Sequence, residues 1–173
     1  MAEINQTITT LHNLLDFDAR RFISAEIQLK KSLQEWINKT GSVKLKTVLQ
    51  KYLDFVNQHV QKIESFLEEE KISSLSLSNR VMQAFIEEAD EKLSNCTDAE
   101  VKDACLVACI QAINHFKISS YGTAAAFAIA LGMEKAAAIF HEAEINEKHI
   151  DDRLSQLAEY EVNTKAKTPI LLP

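Results

Sequence analysis

Residues that interrupt helices are scarce in this chain, which contains three glycines and two prolines among its 173 residues. Strands joined by turns need far more glycine, proline and asparagine, so this scarcity favours long helices. Hydrophobic residues make up 46% of the sequence and charged residues 25%, which is typical of a globular protein and not of a disordered one. The length suits one domain with a single sizeable core. We therefore expect an all-α domain.

Apolar residues recur in steps of three and four along most of the sequence, which is the period of an amphipathic helix. Four of the predicted helices span residues 3–38, Val43–Glu70, Asn79–Leu93 and Glu134–Val162. The third long helix is capped by Thr97 or Asp98 and runs to Leu131. The connection from Glu70 to Asp98, which includes the short helix, is long enough to carry the chain from one end of a bundle to the other. We therefore predict a ferritin-like antiparallel four-helix bundle (residues 1–162) with one long crossover, an extra short helix and a C-terminal tail (residues 163–173).

Charge, hydropathy and cysteine spacing exclude several functional classes. The net charge of −6 and the pI near 5.4 argue against a nucleic-acid surface, which needs clustered lysine and arginine. The longest apolar stretch, Gly122–Met133, is shorter than the roughly 20 residues that span a bilayer, so we expect no membrane. No signal peptide is evident. The three cysteines lack CxxC spacing, and Cys105 and Cys109 are interpreted as small buried residues, so we expect a reduced, cytoplasmic protein.

Four polar residues occupy positions on the core-facing sides of the long helices: Glu26, His59, Lys117 and Glu147. Glu26 either lies at the edge of its apolar stripe and reaches water or is paired inside, because glutamate is seldom buried alone. A lone histidine such as His59 is more often a hydrogen-bonded core residue than a metal ligand. Lys117 lies in the apolar run from Ala104 to Leu131, where it either snorkels at a helix edge or faces a carboxylate inside the protein.

Several short motifs, in this order and at this spacing, are similar to those of a known family: Leu11-His-Asn-Leu-Leu, Ser24-Ala25-Glu26 with Gln28-Leu29, His115 with Ile118-Ser-Ser-Tyr121-Gly122-Thr123, and Glu147-Lys148 with Asp151-Asp-Arg-Leu154. On these motifs the chain resembles the YciE/YciF-type ferritin-like family of bacterial stress-associated proteins, from about Leu11 to Ala158. The resemblance implies an antiparallel four-helix bundle that is commonly a homodimer. It also implies an interior carboxylate and histidine cluster that could bind a di-metal centre.

At that cluster the chain keeps some residues of the family pattern and replaces others. The matching residues are Glu26, His115, Glu147 and Asp151. In the third long helix the family reads Glu-His-Tyr-Glu before its Tyr-Gly, and this chain has Asn114 and Lys117 at the two glutamate positions. The second long helix departs as well, because the glutamate-rich middle of the family is replaced by Asp54-Phe-Val-Asn57.

Buried carboxylates without a cation are costly to ionise, since desolvation raises their pKa. A lysine ammonium would supply positive charge without a metal. We therefore predict a degraded di-metal site that binds no cofactor and contains no catalytic residue, in a protein with a stress-related or structural role. In place of the metal we predict an interior ion-pair cluster of Glu26, Lys117, Glu147 and Asp151. The alternative is a di-iron or di-manganese carboxylate protein acting in metal or peroxide chemistry, with the ligands Glu26, His59, His115, Glu144, Glu147 and Asp151. A third interpretation is a partner-binding module that uses the alanine-rich surface or Ile170–Leu172.

Overall fold

The computed structural model describes residues 7–72 and 77–167, and every regular element within these ranges is helical. The elements are α1 (Leu11–Lys39), α2 (Val43–Glu69), α3 (Arg80–Asn95), α4 (Ala99–Ala130), α5 (Glu134–Leu157), a π-helical turn (Ala158–Val162) and α6 (Asn163–Lys167). The four long helices α1, α2, α4 and α5 form the bundle, and α3 packs against α1 and α4. The prediction of an all-α, ferritin-like bundle is confirmed.

Polar side chains satisfy the free amides at the start of the first four helices. The capping residues are Thr10, Ser42, Asn79 and Asp98. The hydroxyl of Thr10 accepts a hydrogen bond from the Asn13 amide (3.0 Å), which fixes the start of α1 at Leu11. The prediction that this helix includes residues 7–10 is therefore wrong, and residues 3–6 of the predicted helix lie outside the described residues.

The C-terminal end of the bundle extends further than the sequence indicated. The predicted last helix becomes a π-helical turn at Ala158, and the first five residues of the predicted tail are α6. Two contacts hold this segment on the bundle: Val162 is buried, and Glu161 pairs with Lys44 of α2 (2.5 Å). Residues 168–173, which include Ile170–Leu172, lie outside the described part of the chain.

The start of α4 lies beside the short turn between α1 and α2. The two carboxylate oxygens of Asp103 accept hydrogen bonds from the backbone amides of Gly41 (3.0 Å) and Ser42 (2.7 Å). The crossover thus returns the chain to the end of the bundle at which α2 begins, so α4 runs parallel to α2 and antiparallel to α1 and α5. Gly132, with a φ of 70°, ends α4 and allows the tight turn into α5.

The core of the bundle is divided into two apolar clusters by a polar layer. One cluster surrounds Trp36 and Leu106 near the α1–α2 turn, and the other surrounds Phe22 and Phe140 at the opposite end. Along each long helix, the residues of one cluster give way to those of the other, and buried polar residues lie at or next to this boundary. Among the described residues, no helix combines the length and the apolar character that crossing a membrane requires.

Candidate functional site

The polar layer receives side chains from all four long helices. Its members are Glu26 from α1, Tyr52 and His59 from α2, Asn114, Lys117 and Tyr121 from α4, and Asn146 and Glu147 from α5. The two carboxylates are fully buried, and Lys117 and His59 are only 2% and 3% exposed. Charged groups are almost never buried to this extent unless they are paired. The partners of each charge therefore decide what this layer can do.

The ammonium group of Lys117 lies between the two carboxylates. Its Nζ atom is 3.0 Å from Oε2 of Glu26 and 2.5 Å from Oε1 of Glu147. We describe the second contact as an ion pair, since Glu147 Oε1 makes no hydrogen bond of regular geometry. Nζ also donates to the phenol oxygen of Tyr52 (3.4 Å) and lies 5.0 Å from the centroid of the same ring. One cation thus joins α1, α2, α4 and α5.

Neutral donors bind both of the carboxylate oxygens that do not contact Lys117. Glu147 Oε2 accepts from the Tyr52 hydroxyl and from Asn114 Nδ2, both at 2.7 Å. Glu26 Oε1 accepts from the Tyr121 hydroxyl. These phenols and this amide fix the carboxylates in place and leave them available to the ammonium.

The imidazole of His59 extends the network across the bundle. Its Nδ1 atom is 3.3 Å from Glu26 Oε1, and Asn146 Nδ2 donates to its Nε2 atom at 3.3 Å. The Nδ1 atom thus faces a carboxylate acceptor, and the Nε2 atom faces an amide donor. The centre therefore holds two carboxylates, the ammonium of Lys117 and an imidazole that lies against Glu26.

The pKa values of the centre follow from these contacts. Burial alone would raise the pKa of Glu26, but the neighbouring Lys117 and His59 and the hydrogen bonds from His59 and Tyr121 lower it to about 2. Burial alone would lower the pKa of Lys117, and the two carboxylates outweigh it and raise the pKa. Burial, together with the adjacent carboxylates, raises the pKa of Tyr52 and Tyr121 well above 10, so both phenols stay protonated donors.

The structure places Asp151, which the sequence grouped with the interior cluster, outside it. Its Oδ2 atom lies 3.2 Å from Nε2 of His115, whose side chain is 68% exposed. Its Oδ1 atom accepts from Gln111 (3.1 Å). Four residues turn a helix by about 400°, so Asp151 is rotated by about 40° from Glu147 and displaced by about 6 Å along the axis. That is enough to move the carboxylate from the centre to the edge between α4 and α5.

Glu144 also lies away from the centre. Lys148 donates to it at 2.5 Å, and His141 Nδ1 is 3.4 Å away. Its carboxyl carbon would be 3.2 Å from a Cβ atom added at Gly122, so the glycine leaves room for this carboxylate against α4. Of the six residues proposed as metal ligands, the structure brings together Glu26, His59 and Glu147 and leaves Glu144, His115 and Asp151 at the surface.

Sequence reasoning did not assign roles to the two phenols or to Asn146. Tyr52 stands on the same apolar stripe as His59, and Tyr121 follows Lys117 by four residues, so both spacings placed them on the inward face. A tyrosine at a core-facing position needs a hydrogen-bond partner for its hydroxyl group, and this requirement could have indicated that both residues belong to the polar layer. Asn146 carried no such signal, because it lies beside the apolar stripe of its helix.

The residues at the centre do not fit a two-metal site. A ferritin-like di-metal centre takes a glutamate from each of two helices and a Glu-x-x-His pair from each of the other two. Here the ligand atoms of Glu26, His59 and Glu147 lie within 4.8 Å of one another, which is half the required set. The Lys117 ammonium lies at or within 3.0 Å of both carboxylates, and Asn114 presents donor hydrogens to Glu147. A divalent cation at this position would be repelled by both groups.

The sequence matches one family model and one curated protein over most of its length. A family model described as "Domain of unknown function (DUF892)" matches residues 10–167. Protein YciF of Escherichia coli (strain K12) is 35% identical over 145 residues, which cover 83% of this chain and 87% of that protein. The resemblance to YciF-type proteins inferred from the motifs is confirmed.

Solved structures share the fold. The crystal structure of the E. coli stress protein YciF matches with a TM-score of 0.84 and 31% identity, covering 93% of this chain and 100% of that one. YcfI of Rhodopseudomonas palustris, provisionally described as a structural protein, matches with a TM-score of 0.84 and 25% identity, covering 88% and 98%. A two-domain protein of Anabaena variabilis with dj-1/thij/pfpi-like and ferritin-like domains matches over 95% of this chain and 40% of its own (TM-score 0.59, 16% identity), which shows the fold alone.

Proposed function

We propose a structural, non-catalytic role for this protein, which belongs to the DUF892 family and is of the YciF type. In this proposal the centre of the bundle is a degraded di-metal site, and the ammonium group of Lys117 supplies the positive charge that metal ions would supply in an intact site. One observation carries the proposal: Lys117 Nζ lies between the carboxylates of Glu26 and Glu147.

Glu26 and Glu147 lie in the interior of the bundle, shielded from solvent. Ionised Glu26 and Glu147 would be strongly destabilised there without a cation, because desolvation favours their neutral forms. A covalently attached ammonium is present in every folded molecule and does not depend on metal supply. It neutralises part of the charge and crosslinks helices that are distant in sequence. The product is a rigid bundle without an open coordination position for a substrate.

The proposal also covers the cellular role and the partners of the protein. Similar proteins are described as a stress protein and, provisionally, as a structural protein, which supports a stress-related or structural role. The family resemblance supports a cytoplasmic homodimer. The net charge of −6 supports the absence of a nucleic-acid partner.

Metal analysis of purified protein tests the proposal. After expression with added iron and manganese, we expect the unmodified protein to contain far less than one equivalent of either metal. The Lys117→Glu variant replaces the ammonium by a third carboxylate, and we expect it to retain metal and to gain thermal stability when Mn²⁺ is added. Lys148→Glu makes the same charge change at an exposed position and should do neither.

The alternative function predicts the opposite result. In that case the Glu26, His59 and Glu147 group would hold iron or manganese despite the ammonium, and the unmodified protein would carry metal in stoichiometric amount. Such a result would overturn the proposal. Equal metal retention by Lys117→Glu and Lys148→Glu would also contradict it, because it would show that the extra carboxylate acts through surface charge.

A further inference from the structure

Two of the clefts on the surface of the bundle differ in size and in charge. The smaller, of about 220 Å³, lies between α3 and α4, and its one carboxylate, Glu88, pairs with its one cation, Lys92. Cys105 and Cys109 also line it, and both are only partly buried, so their interpretation as small buried residues is wrong. The larger, of about 690 Å³, lies between α2, α5 and the π-helical turn, and we call it the α2–α5 cleft.

The α2–α5 cleft combines an apolar surface with an excess of positive charge. Its apolar part is formed by Val48 of α2, by Ile150 and Leu157 of α5, and by the exposed ring of Tyr160. Its charged residues are Lys44, Lys51, Arg153 and Glu161. Three cations and one carboxylate leave a net positive lining, although the whole chain carries a net charge of −6. A cleft of this size and composition is typical of a small-molecule site.

The π-helical turn shapes one side of the cleft. It spans Ala158–Val162 and supplies both Tyr160 and Glu161 to the lining. A π turn accommodates one extra residue within a helix, and such turns occur frequently at functional sites. The turn is held on the bundle by the buried side chain of Val162 and by the ion pair of Glu161 with Lys44. This wall of the cleft is therefore formed in the absence of a ligand.

The two ends of the cleft differ in the state of their charges. At one end Lys44 is neutralised by Glu161, 2.5 Å away. Because α2 and α5 run antiparallel, Lys51, two turns after Lys44, lies across from Arg153 at the other end. In the part of the chain that the structure describes, neither Lys51 nor Arg153 forms an ion pair with a carboxylate. The ammonium of Lys51 lies 4.5 Å from the centroid of the Phe55 ring, which orients it without neutralising it.

We propose that the α2–α5 cleft binds a fatty acid, with the carboxylate held between Lys51 and Arg153 and the acyl chain on the apolar lining. A guanidinium binds a carboxylate through two parallel hydrogen bonds, and the ammonium adds a second positive charge. From this end the lining runs about 10 Å along α2 to Lys44, which suits an extended chain better than a compact ring. Val48 and Leu157 lie between the two ends and are only partly buried, so the chain would remove their remaining apolar surface from water.

The charges of the cleft also decide which amphiphiles it should reject. A cationic amphiphile would face Lys51 and Arg153, and the one carboxylate of the lining, Glu161, is already paired with Lys44. A short carboxylate would gain the ion pairs but bury no chain. The site uses no residue of the polar layer, so the proposal does not depend on the role proposed for that layer.

Calorimetric titration of the full-length protein with decanoate, below its micellar concentration, tests this proposal. We expect saturable binding of one equivalent. Affinity should rise from hexanoate to decanoate by up to about fourfold for each methylene group that becomes buried. Acetate, which has no chain, and decyltrimethylammonium, which has the same chain with a cationic head, should not bind measurably. The proposal would be overturned if decanoate did not bind or if decyltrimethylammonium bound as tightly.

A pair of matched variants locates the site. Arg153→Gln removes the guanidinium at the end of the cleft and should weaken decanoate binding by roughly tenfold or more. Arg80→Gln makes the same change of charge at an exposed position on α3 and should leave binding unchanged. Far-UV circular dichroism checks that both variants are folded. Unchanged binding by Arg153→Gln, or an equal loss in the two variants, would contradict the assignment to this cleft.

Discussion

Two carboxylates on α5, one turn apart, pair with cationic or ionisable groups of α4 in opposite surroundings. Glu147 is fully buried, and its Oε1 atom lies 2.5 Å from the ammonium of Lys117. Asp151 is partly exposed, and its Oδ2 atom lies 3.2 Å from the largely solvent-exposed imidazole of His115. Both pairs link the same two helices at similar distances. They differ in the amount of water around them and in the number of neutral donors that hold each carboxylate.

Burial, more than distance, decides what each of these ion pairs contributes to stability. Water around His115 and Asp151 stabilises each charge when the other is removed, so the pair adds little. Glu26 and Glu147 are shielded from solvent, so their stability as anions depends on Lys117 and on the phenols. The interior cluster is therefore costly to break, although an apolar core of the same volume could be equally stable.

Removing the interior ammonium should give the largest effect. Lys117→Met leaves two buried carboxylates without a cation, and we expect the free energy of unfolding at pH 7 to fall by about 3–5 kcal/mol. Urea denaturation followed by circular dichroism measures this loss. The matched control, Lys148→Met, removes an exposed lysine that pairs with Glu144 and should cost less than about 1 kcal/mol.

Restoring neutrality in the same background sharpens this test. Adding Glu26→Gln and Glu147→Gln to Lys117→Met removes both uncompensated charges, so we expect most of the lost stability to return. A triple variant as unstable as Lys117→Met alone would show that packing of the lysine side chain, and not charge, dominates. Equal losses in Lys117→Met and Lys148→Met would contradict the distinction between the interior and the surface pairs.

Acid should weaken the interior cluster through Glu26. Its pKa is lowered from 4.5 in the unfolded chain to about 2 in the folded protein. Because the folded-state pKa is the lower one, the stabilisation is complete above pH 4.5 and is lost as the pH falls towards 2. We expect Glu26 to contribute roughly 3 kcal/mol to that loss. Denaturation midpoints between pH 7 and pH 2.5 measure it, and Glu26→Gln should flatten the slope. An unchanged slope in this variant would refute the assignment.

High pH should weaken the interior cluster through Lys117, the partner of Glu26. Burial lowers the pKa of Lys117, but Glu147 and Glu26 outweigh burial, and the folded-state pKa is raised above 10.5. The stabilisation is therefore complete below pH 10.5 and is lost as the pH rises through the folded-state value. The cluster is thus most stabilising between the two limits, where Glu26 and Lys117 are both charged.

The helical period explains why the three charged residues of the centre could be proposed from the sequence. Glu26, Lys117 and Glu147 lie on apolar stripes, and a stripe in a four-helix bundle faces the common axis. The sequence left open whether Glu26 reaches water and whether Lys117 snorkels at a helix edge, and the structure places both side chains inside. Thr10 shows the limit of the same rule, because Ile4 and Ile8 continue the apolar pattern beyond the residue that caps α1.

Residues at the edge of a stripe could not be assigned in this way. Whether a side chain such as Asp151 turns inward depends on the distance and angle between α4 and α5, which the sequence does not specify. The hydrogen bonds of Asn146 likewise depend on the position of a side chain from another helix.

The smallest effect is expected at the surface pair, where His115→Ala should lower the free energy of unfolding by less than about 1 kcal/mol.

Screening by salt provides a further test, because the Debye length falls from about 10 Å in 0.1 M salt to about 3 Å in 1 M salt. We expect salt to remove most of the His115→Ala effect and little of the Lys117→Met effect, since ions do not enter the buried centre. Parallel urea titrations at the two salt concentrations measure both differences. If salt reduced the two effects by the same fraction, the Lys117 ion pairs would have to be accessible to solvent, and burial would no longer explain their greater strength.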